Sequence, residues 1–214
     1  MRKTALLAIA AAATLTAALP AAAQDTGNWI VRARAVHLDS ANKDGTNVPG
    51  VGNLDLSINN KWLPEVDISY FFSPNLAAEL ILTYPQKQTV YVGALGGAKA
   101  GTFKHLPPTL TLQYHVTGLG SFRPYVGAGV NFTNLSGVHL DGASNALGAS
   151  VNLKRNSYGL ALQAGVDVPL GGGWLLNADV KKVQIGTKVL ANDASVGKFK
   201  VDPLLFGIGI GKRF

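Results

Sequence analysis

Apolar and polar residues alternate along most of this chain, so that each segment would place them on opposite faces of a strand. In residues 63–72, for example, Val66 and Ile68 alternate with Glu65 and Asp67. The same period of two returns in residues 76–84, 110–116, 122–133, 158–168, 176–181 and 204–214. The pattern predicts an all-β protein made of short antiparallel strands.

The connections between these segments alternate strictly between short and long. The short joints are residues 73–75, 117–121 and 170–173, and all three are rich in turn-forming residues. The long joints, which are polar or glycine-rich, are residues 39–60, 86–102, 134–150 and 186–197. Three short and four long joints separate about eight strands and return both termini to one side. This rhythm predicts an eight-stranded antiparallel transmembrane β-barrel with periplasmic termini.

The last segment supports a wall that faces lipid. Its apolar row, Phe206, Ile208 and Ile210, alternates with glycines that are too small to fill a soluble core. Taken alone, this segment would also fit the C-terminal strand of a soluble sandwich, but the rest of the chain favours the barrel. Together with the terminal Phe214, the row predicts the signal that the barrel-assembly machinery binds.

The first residues predict export. Arg2 and Lys3 precede an apolar run at residues 5–19, and a small-residue cleavage pattern follows at residues 20–23. The run is shorter than the roughly 18 residues that a membrane-spanning helix needs. We therefore expect residues 1–23 to be a signal peptide and residues 24–214 to form the barrel in the bacterial outer membrane.

Charged residues in the predicted strands share the face that points away from lipid. An unpaired charge buried there would cost several kcal/mol, so the two signs should pair. We expect an ionic network that fills the narrow lumen, formed by Arg32, Arg34, Glu65, Asp67, Glu79, Arg123, Asp167, Asp179, Lys181 and Arg213.

The overall charge is modestly basic. The formal net charge of the whole chain is +7, and it becomes +5 without Arg2 and Lys3. Because the basic residues are scattered, they form no nucleic-acid patch. They predict instead contact with outer-membrane lipids, including lipopolysaccharide.

Catalytic chemistry has little support in the sequence. The chain has no cysteine, and it contains no nucleophile-elbow or metalloprotease motif. His37, His105 and His139 fall near predicted rims or in loops, and His115 is predicted to point inward near the periplasmic end. We expect no enzyme activity, no catalytic residue, no cofactor and no metal site.

Three motifs carry a family resemblance. The stretch His105-Leu106-Pro107-Pro108-Thr109, residues 123–133 (RPYVGAGVNFT) and the pair Asp202-Pro203 resemble the OmpW family of outer-membrane proteins. Lys212 stands where such chains usually carry an aromatic residue. The resemblance spans essentially residues 24–214, and it implies an eight-stranded barrel with a narrow hydrophobic channel, which passes small apolar compounds in some relatives.

The proline pair predicts a local break in strand pairing, because Pro107 and Pro108 have no backbone N–H to donate. Unpaired carbonyls inside a membrane barrel must face a cavity or water. One interpretation is a lateral opening through which an apolar solute leaves into the membrane. The alternative is that the prolines mark the external rim.

These observations predict a channel for passive uptake of small hydrophobic molecules. The alternative is a nonconducting structural or receptor barrel. An apolar lining of the external half would favour the channel, and its candidate residues are Val48, Val51, Leu54, Leu56, Val138, Leu140, Leu147, Val189 and Leu190.

Overall fold

The computed structural model describes residues 27–214, which are mostly β-strand. The predicted signal peptide, residues 1–23, lies outside the described residues. The strands are β1 (Trp29–Asp39), β2 (Lys43–Thr46), β3 (Leu56–Ile58), β4 (Lys61–Phe71), β5 (Leu76–Leu82), β6 (Gln86–Val92), β7 (Ala98–Leu106), β8 (Thr109–His115), β9 (Arg123–His139), β10 (Val151–Leu153), β11 (Asn156–Gly171), β12 (Trp174–Val183), β13 (Gly186–Ala191), β14 (Ala194–Lys200) and β15 (Leu204–Arg213). A 3₁₀ turn (Gly93–Leu95) and helix α1 (Asp141–Leu147) complete the described elements. Within this part of the chain, no helix has the length and hydropathy needed to cross a membrane.

Eight strands form a closed antiparallel barrel in the order β1, β4, β5, β8, β9, β11, β12, β15. Closure is visible at β1, where Arg32 lies opposite Asp67 of β4 on one side and Gly211 of β15 on the other. Strand β9 likewise pairs with both β8 and β11. The predicted all-β fold and the eight-stranded barrel are confirmed. A closed barrel has no edge, so its backbone polar groups find partners without water.

The outward face of the barrel is an apolar belt. Val126, Leu162 and Ile208 are each about 60% exposed, whereas Thr111 and Tyr125, on the other face of their strands, are buried. The chain therefore places its apolar set toward lipid and its polar set in the lumen, as the alternation predicts.

Short turns lie at one end of the barrel, which also holds Gly27 and Phe214; we call it the terminal end. The turn between β11 and β12 uses Gly171, Gly172 and Gly173, whose φ angles are 96°, 57° and 80°. Residues other than glycine rarely adopt such positive φ values, so the three glycines allow the chain to reverse within a few residues.

The opposite end, which we call the loop end, contains more secondary structure than the sequence predicts. The predicted long joints contain β2, β3, β6 and β13 and the first residues of β7 and β14, and β10 directly follows one of them. These strands continue the wall beyond the barrel. Their inner faces pack into one apolar core that includes Leu56, Val90, Phe103 and Phe199. The expectation of polar or glycine-rich loops was wrong here, because strands of three to nine residues beside glycines show too little alternation to be recognised.

The candidate lining residues take different positions in this extension. Val48, Leu54, Leu56, Leu140 and Val189 are buried in the apolar core, and Val138 and Leu147 pack against it. Val51, however, is 52% exposed, and Leu190 lies outside the core cluster. Most of these residues thus pack against one another.

A depth series on one strand tests the lipid-facing register. Leu162 lies near the middle of the outward row of β11, and Tyr158 lies near its loop end. We expect Leu162→Arg to destabilise the barrel by about 2 to 4 kcal/mol and Tyr158→Arg by about 0 to 1 kcal/mol, because charge costs most at the midplane. Urea unfolding of the refolded protein in lipid vesicles measures both values. Equal losses at the two positions would contradict the assignment of Leu162 to the bilayer midplane.

Candidate functional site

A cluster of eight charged side chains fills the middle of the barrel lumen, and we call it the charged plug. Its members are Arg32, Arg34, Glu65, Asp67, Glu79, Asp167, Asp179 and Lys181, all of them buried. They come from β1, β4, β5, β11 and β12. The strands alternate strictly, so each contributes its charge to the inner face.

The two arginines of β1 hold the plug together. The guanidinium of Arg32 donates to Asp167 through Nε at 3.1 Å and Nη2 at 2.6 Å, and its Nη1 reaches Glu79 at 3.0 Å. Arg34 Nε lies 2.7 Å from Asp67 Oδ2, and its Nη2 lies 2.9 Å from Glu79 Oε1. Its guanidinium also pairs with Asp179. Planar guanidinium groups suit this role because they bind two carboxylates with fixed geometry.

The third cation of the plug is Lys181. Its ammonium group pairs with Glu65 and lies 3.4 Å from Asp179. Three cations therefore face five carboxyl groups in the plug, and neutral donors must supply the remaining hydrogen bonds.

Buried amide side chains supply these donors. Gln113 Nε2 donates to Glu79 at 2.7 Å, and Gln163 Nε2 donates to Glu79 at 2.9 Å and to Asp179 at 2.8 Å. Asn177 Nδ2 donates to Asp167 at 2.8 Å. The sequence analysis did not single out these amides, although each occupies a polar, inward-facing position of an alternating strand, and this could have indicated a place in the network.

The inward-facing glycines of β15 leave room for the side chains of the plug. A Cβ atom on Gly207 would lie 2.5 Å from an oxygen of Asp179, and one on Gly211 would lie 3.0 Å from Cγ of Arg32. The small inner face of the last strand is therefore filled by charged side chains from β1 and β12.

Two predicted network residues, Arg123 and Arg213, lie toward the terminal end. They line a vestibule of about 480 Å³ together with His115 and Asp167. Arg213 Nε donates to the carbonyl of Gly27 at 2.7 Å, and its guanidinium lies over the Phe71 ring. Of the ten predicted residues, eight form the plug and these two form the vestibule beside it.

The four residues of the predicted assembly signal lie on the outer surface, from Phe206 near the loop end of β15 to Phe214 at the terminal end. Phe206, Ile208, Ile210 and Phe214 are between 47% and 64% exposed. Their side chains thus belong to the belt around the barrel and lie outside the lumen.

A small cavity of about 30 Å³ lies on the loop side of the plug. Glu65 and Lys181 of the plug form part of its lining, and the rest is mainly apolar. The apolar and proline residues of the lining are Leu38, Leu63, Ile81, Pro107, Val183, Ile185, Pro203 and Leu205. The plug thus separates this cavity from the vestibule.

The barrel wall beside this cavity has a gap. Pairing between β4 and β5 ends at Val66 opposite Leu82, although β4 continues to Lys61. Side chains span this region: Thr83 Oγ1 donates to the carbonyl of Pro64 at 2.8 Å, and Lys61 Nζ donates to the carbonyl of Lys87 at 3.1 Å. We call residues 61–65 and 83–87 the side gap.

The proline pair adjoins the side gap, and its carbonyls are bonded. Pro108 O accepts from the backbone N–H of Phe132 at 3.1 Å, so the wall toward β9 remains closed. Asn131 Nδ2 donates to both proline carbonyls, at 3.3 and 3.2 Å. Pro107 lines the cavity. The interruption in pairing lies on the β4 side.

Polar side chains are buried in the cavity lining and just beyond it. Gln86, Gln88 and His105 are essentially inaccessible to solvent, and Gln86 lies opposite His105 in the pairing of β6 with β7. Burial, with a smaller contribution from Lys61, lowers the pKa of His105 to about 4, so the imidazole is neutral at neutral pH. His105 lies next to the last residue of β7, near the junction of the barrel with the extension, and β7 carries its side chain inward.

Removing one arginine tests whether the plug stabilises the barrel. Arg34→Met leaves Asp67, Glu79 and Asp179 without a shared cation, and we expect a loss of about 3 to 5 kcal/mol. The matched control is Arg123→Met in the open vestibule, which should cost about 1 kcal/mol or less. Urea unfolding in vesicles compares them, and a cost for Arg34→Met no larger than the control would show that the plug is not a stabilising unit.

Comparisons with known proteins agree with this architecture. The family model of the OmpW family matches residues 25–214. The chain is 39% identical to the uncharacterized outer-membrane protein y4mB of Sinorhizobium fredii, over 96% of this chain and 90% of that protein. It is 30% identical to the dibenzothiophene metabolism operon protein PahQ of Pseudomonas aeruginosa, over 80% of this chain and 79% of that protein.

A solved structure gives the same result for the fold. The crystal structure of the outer membrane protein OprG from Pseudomonas aeruginosa superposes with a TM-score of 0.74 at 30% identity, covering 88% of this chain and 96% of that one. The closed barrel, its apolar belt and these matches together show that the chain is an outer-membrane β-barrel protein of the OmpW family.

Proposed function

We propose that this barrel takes up small hydrophobic molecules passively, admitting them at the loop end and releasing them through the side gap into the membrane. The observation that carries the proposal is the shared position of the apolar cavity and the side gap. Leu63 and Thr83 line the cavity and also lie in the gap. The route involves no catalytic step.

The charged plug disfavours a route along the barrel axis. Glu65 and Lys181 form part of the cavity lining on one side of the plug, while Asp167 lines the vestibule on the other. A solute crossing the plug would separate buried ion pairs, which is costly in a medium of low dielectric constant. A molecule that reaches the cavity therefore has a cheaper exit through the wall.

The outer side of the gap suits an exit into lipid. Trp62 and Tyr84 flank it and are 62% and 56% exposed. Such amphipathic aromatic residues are typical of the membrane interface. Transfer of an apolar solute from water to hydrocarbon contributes about 0.8 kcal/mol per CH₂ group, which drives movement in this direction without an energy source.

The cavity is too small to hold an alkane unless its lining moves. A cavity of about 30 Å³ has room for only about two water molecules. Leu63 and Leu205, which line it, must therefore move when a solute passes. The lining favours apolar molecules because most of it is apolar and it presents no unpaired charge. His105 is neutral, and the two charged residues, Glu65 and Lys181, pair with each other.

One relative's name supports the same class of solute. PahQ is named for an operon of dibenzothiophene metabolism, and dibenzothiophene is an apolar aromatic compound. This name describes PahQ, and for the present chain it favours a hydrophobic solute over a sugar or an ion.

The rival function is a nonconducting structural or receptor barrel. The packed apolar core of the extension and the small cavity favour it. The two functions differ in whether the protein changes the entry rate of an apolar probe.

Uptake by cells tests the proposal. We expect cells carrying the protein to take up a medium-chain alkane faster than knockout cells, with little difference for a small hydrophilic sugar. Leu63→Trp should slow alkane uptake severalfold, because the larger ring fills both the cavity and the gap. Leu112→Trp is the matched control, since Leu112 points outward on β8 and is 53% exposed; it should leave uptake unchanged.

Surface amounts of the three proteins must be equal, as measured by outer-membrane fractionation. Equal uptake in knockout and wild-type cells would remove the transport function and leave the structural barrel. Wild-type uptake by properly inserted Leu63→Trp would reject the side route alone.

A further inference from the structure

Five lysines share the outward face of the sheet formed by β10, β13, β14 and β2, and we call this surface the lysine face. Its residues are Lys43, Lys154, Lys188, Lys198 and Lys200, all of them exposed. None was assigned a role by the sequence analysis beyond the general basic charge.

The pairing register places these lysines directly against one another. Lys188 lies opposite Lys198, and Lys200 lies opposite Lys43. The backbone N–H of Lys154 donates to the carbonyl of Lys188, which brings a fifth lysine into the same rows. Like charges directly across a strand pair destabilise a sheet, so the register carries a cost that a bound anion would remove.

The lysines cannot escape this arrangement by turning inward. The alternate residues Thr187, Val189 and Phe199 occupy the inner face, where they are buried. Among the described residues, none of these five lysines has a carboxylate ion pair within 4.0 Å. The five ammonium groups are thus exposed without an acidic partner from the described chain.

The plug increases this imbalance. It contains three cations and five carboxyl groups, so it withdraws more negative than positive charge from the surface. The surface is therefore more basic than the net charge of +5, which excludes Arg2 and Lys3, suggests.

The lysine face lies just beyond the apolar belt. The outward residues of β12 begin as Trp174, Leu176 and Ala178, and the same face continues through Lys182 to Lys188 of β13. On the neighbouring strand Tyr158 is 79% exposed at the end of the belt.

The number of residues between Tyr158 and Lys154 limits the depth of the lysines. Lys154 is four positions beyond Tyr158, so the chain between them spans at most about 14 Å. The polar headgroup region of a bilayer is roughly 5 to 8 Å deep on each side. The lysines thus lie at the headgroups and immediately above them.

The surface is also concave. Lys154, Lys188, Lys198 and Lys200 line a cleft of about 380 Å³, together with Tyr158 and the polar residues Asn156 and Gln184. One carboxyl group, that of Asp202, belongs to the lining, and its Oδ1 accepts the backbone N–H of Ile185 at 3.0 Å. Four ammonium groups therefore surround a space large enough for a phosphate group.

We propose that the lysine face binds the phosphate groups of an anionic outer-leaflet lipid, of the lipopolysaccharide type. The phosphates lie between the opposed lysines and relieve their repulsion, while the acyl chains of the lipid lie along the apolar belt below Tyr158. This site does not depend on the uptake function, because it lies on the outside of the wall.

Retention of lipid by the purified full-length barrel tests this site. Wild-type protein in detergent is mixed with bisphosphorylated lipid A, with dephosphorylated lipid A, or with inorganic phosphate, and bound lipid is counted by native mass spectrometry. Each lysine near an anionic lipid surface contributes about a fivefold factor in affinity. We expect the triple variant Lys188→Gln/Lys198→Gln/Lys200→Gln to retain at least about tenfold less bisphosphorylated lipid A than the wild type.

Two further variants separate a site from net charge. Lys87→Gln/Lys99→Gln/Lys104→Gln removes the same charge from β6 and β7, and it should retain lipid A nearly as the wild type does. Replacing Lys188, Lys198 and Lys200 by Arg keeps the charge and should preserve binding. Heat-modifiable migration on gels confirms that every variant is folded.

The outcomes are distinct. Equal losses in the two Gln variants would overturn a localised site, because binding would then follow net charge alone. Equal retention of lipid A with and without phosphates would overturn phosphate recognition. Complete competition by inorganic phosphate at the same concentration as lipid A would show a free-phosphate site and reject the lipid as its occupant.

Discussion

The absence of water inside a bilayer is the constraint on which this structure depends. Every backbone N–H and C=O at that depth needs a partner in the protein, so the strands must close on themselves. The pairing of β1 with both β4 and β15 meets this requirement. Closure with eight strands leaves an interior only wide enough for side chains. The charged plug is the consequence, since long polar side chains fill that interior while the apolar ones cover the outside.

The plug and the side gap are coupled through this geometry. Because the plug occupies the middle of the lumen, the cavity and the vestibule are separate compartments. The wall is continuous around the plug, and the pairing between β4 and β5 ends only above Val66, beside the cavity. The structure thus combines an ion-paired middle with a less tightly paired wall at the loop end.

The sequence was a good guide to the barrel, because apolar and polar residues alternate over most of the length of its eight strands. Residues such as Val66 and Asp67 fall on opposite faces whatever the detailed packing, and this also predicted eight of the plug residues. The extension was missed because its apolar core is assembled from short strands that are distant in sequence, such as those of Val90 and Phe199. The position of the side gap could not be predicted from the sequence for a similar reason. Pro107 indicates a break, but only the three-dimensional pairing shows that the break faces β4.

The contribution of β1 to the plug has a consequence for folding. Arg32 bonds to Asp167 across 135 residues, and Arg34 bonds to Asp179 across 145. The cations thus belong to the first strand, and these two carboxylates belong to strands that follow late in the chain. Neutralising the interior requires the first strand to meet β11 and β12, which happens only when the cylinder is complete. A half-assembled sheet holds unpaired charges, so assembly is expected to be all-or-none, with few stable partly closed forms.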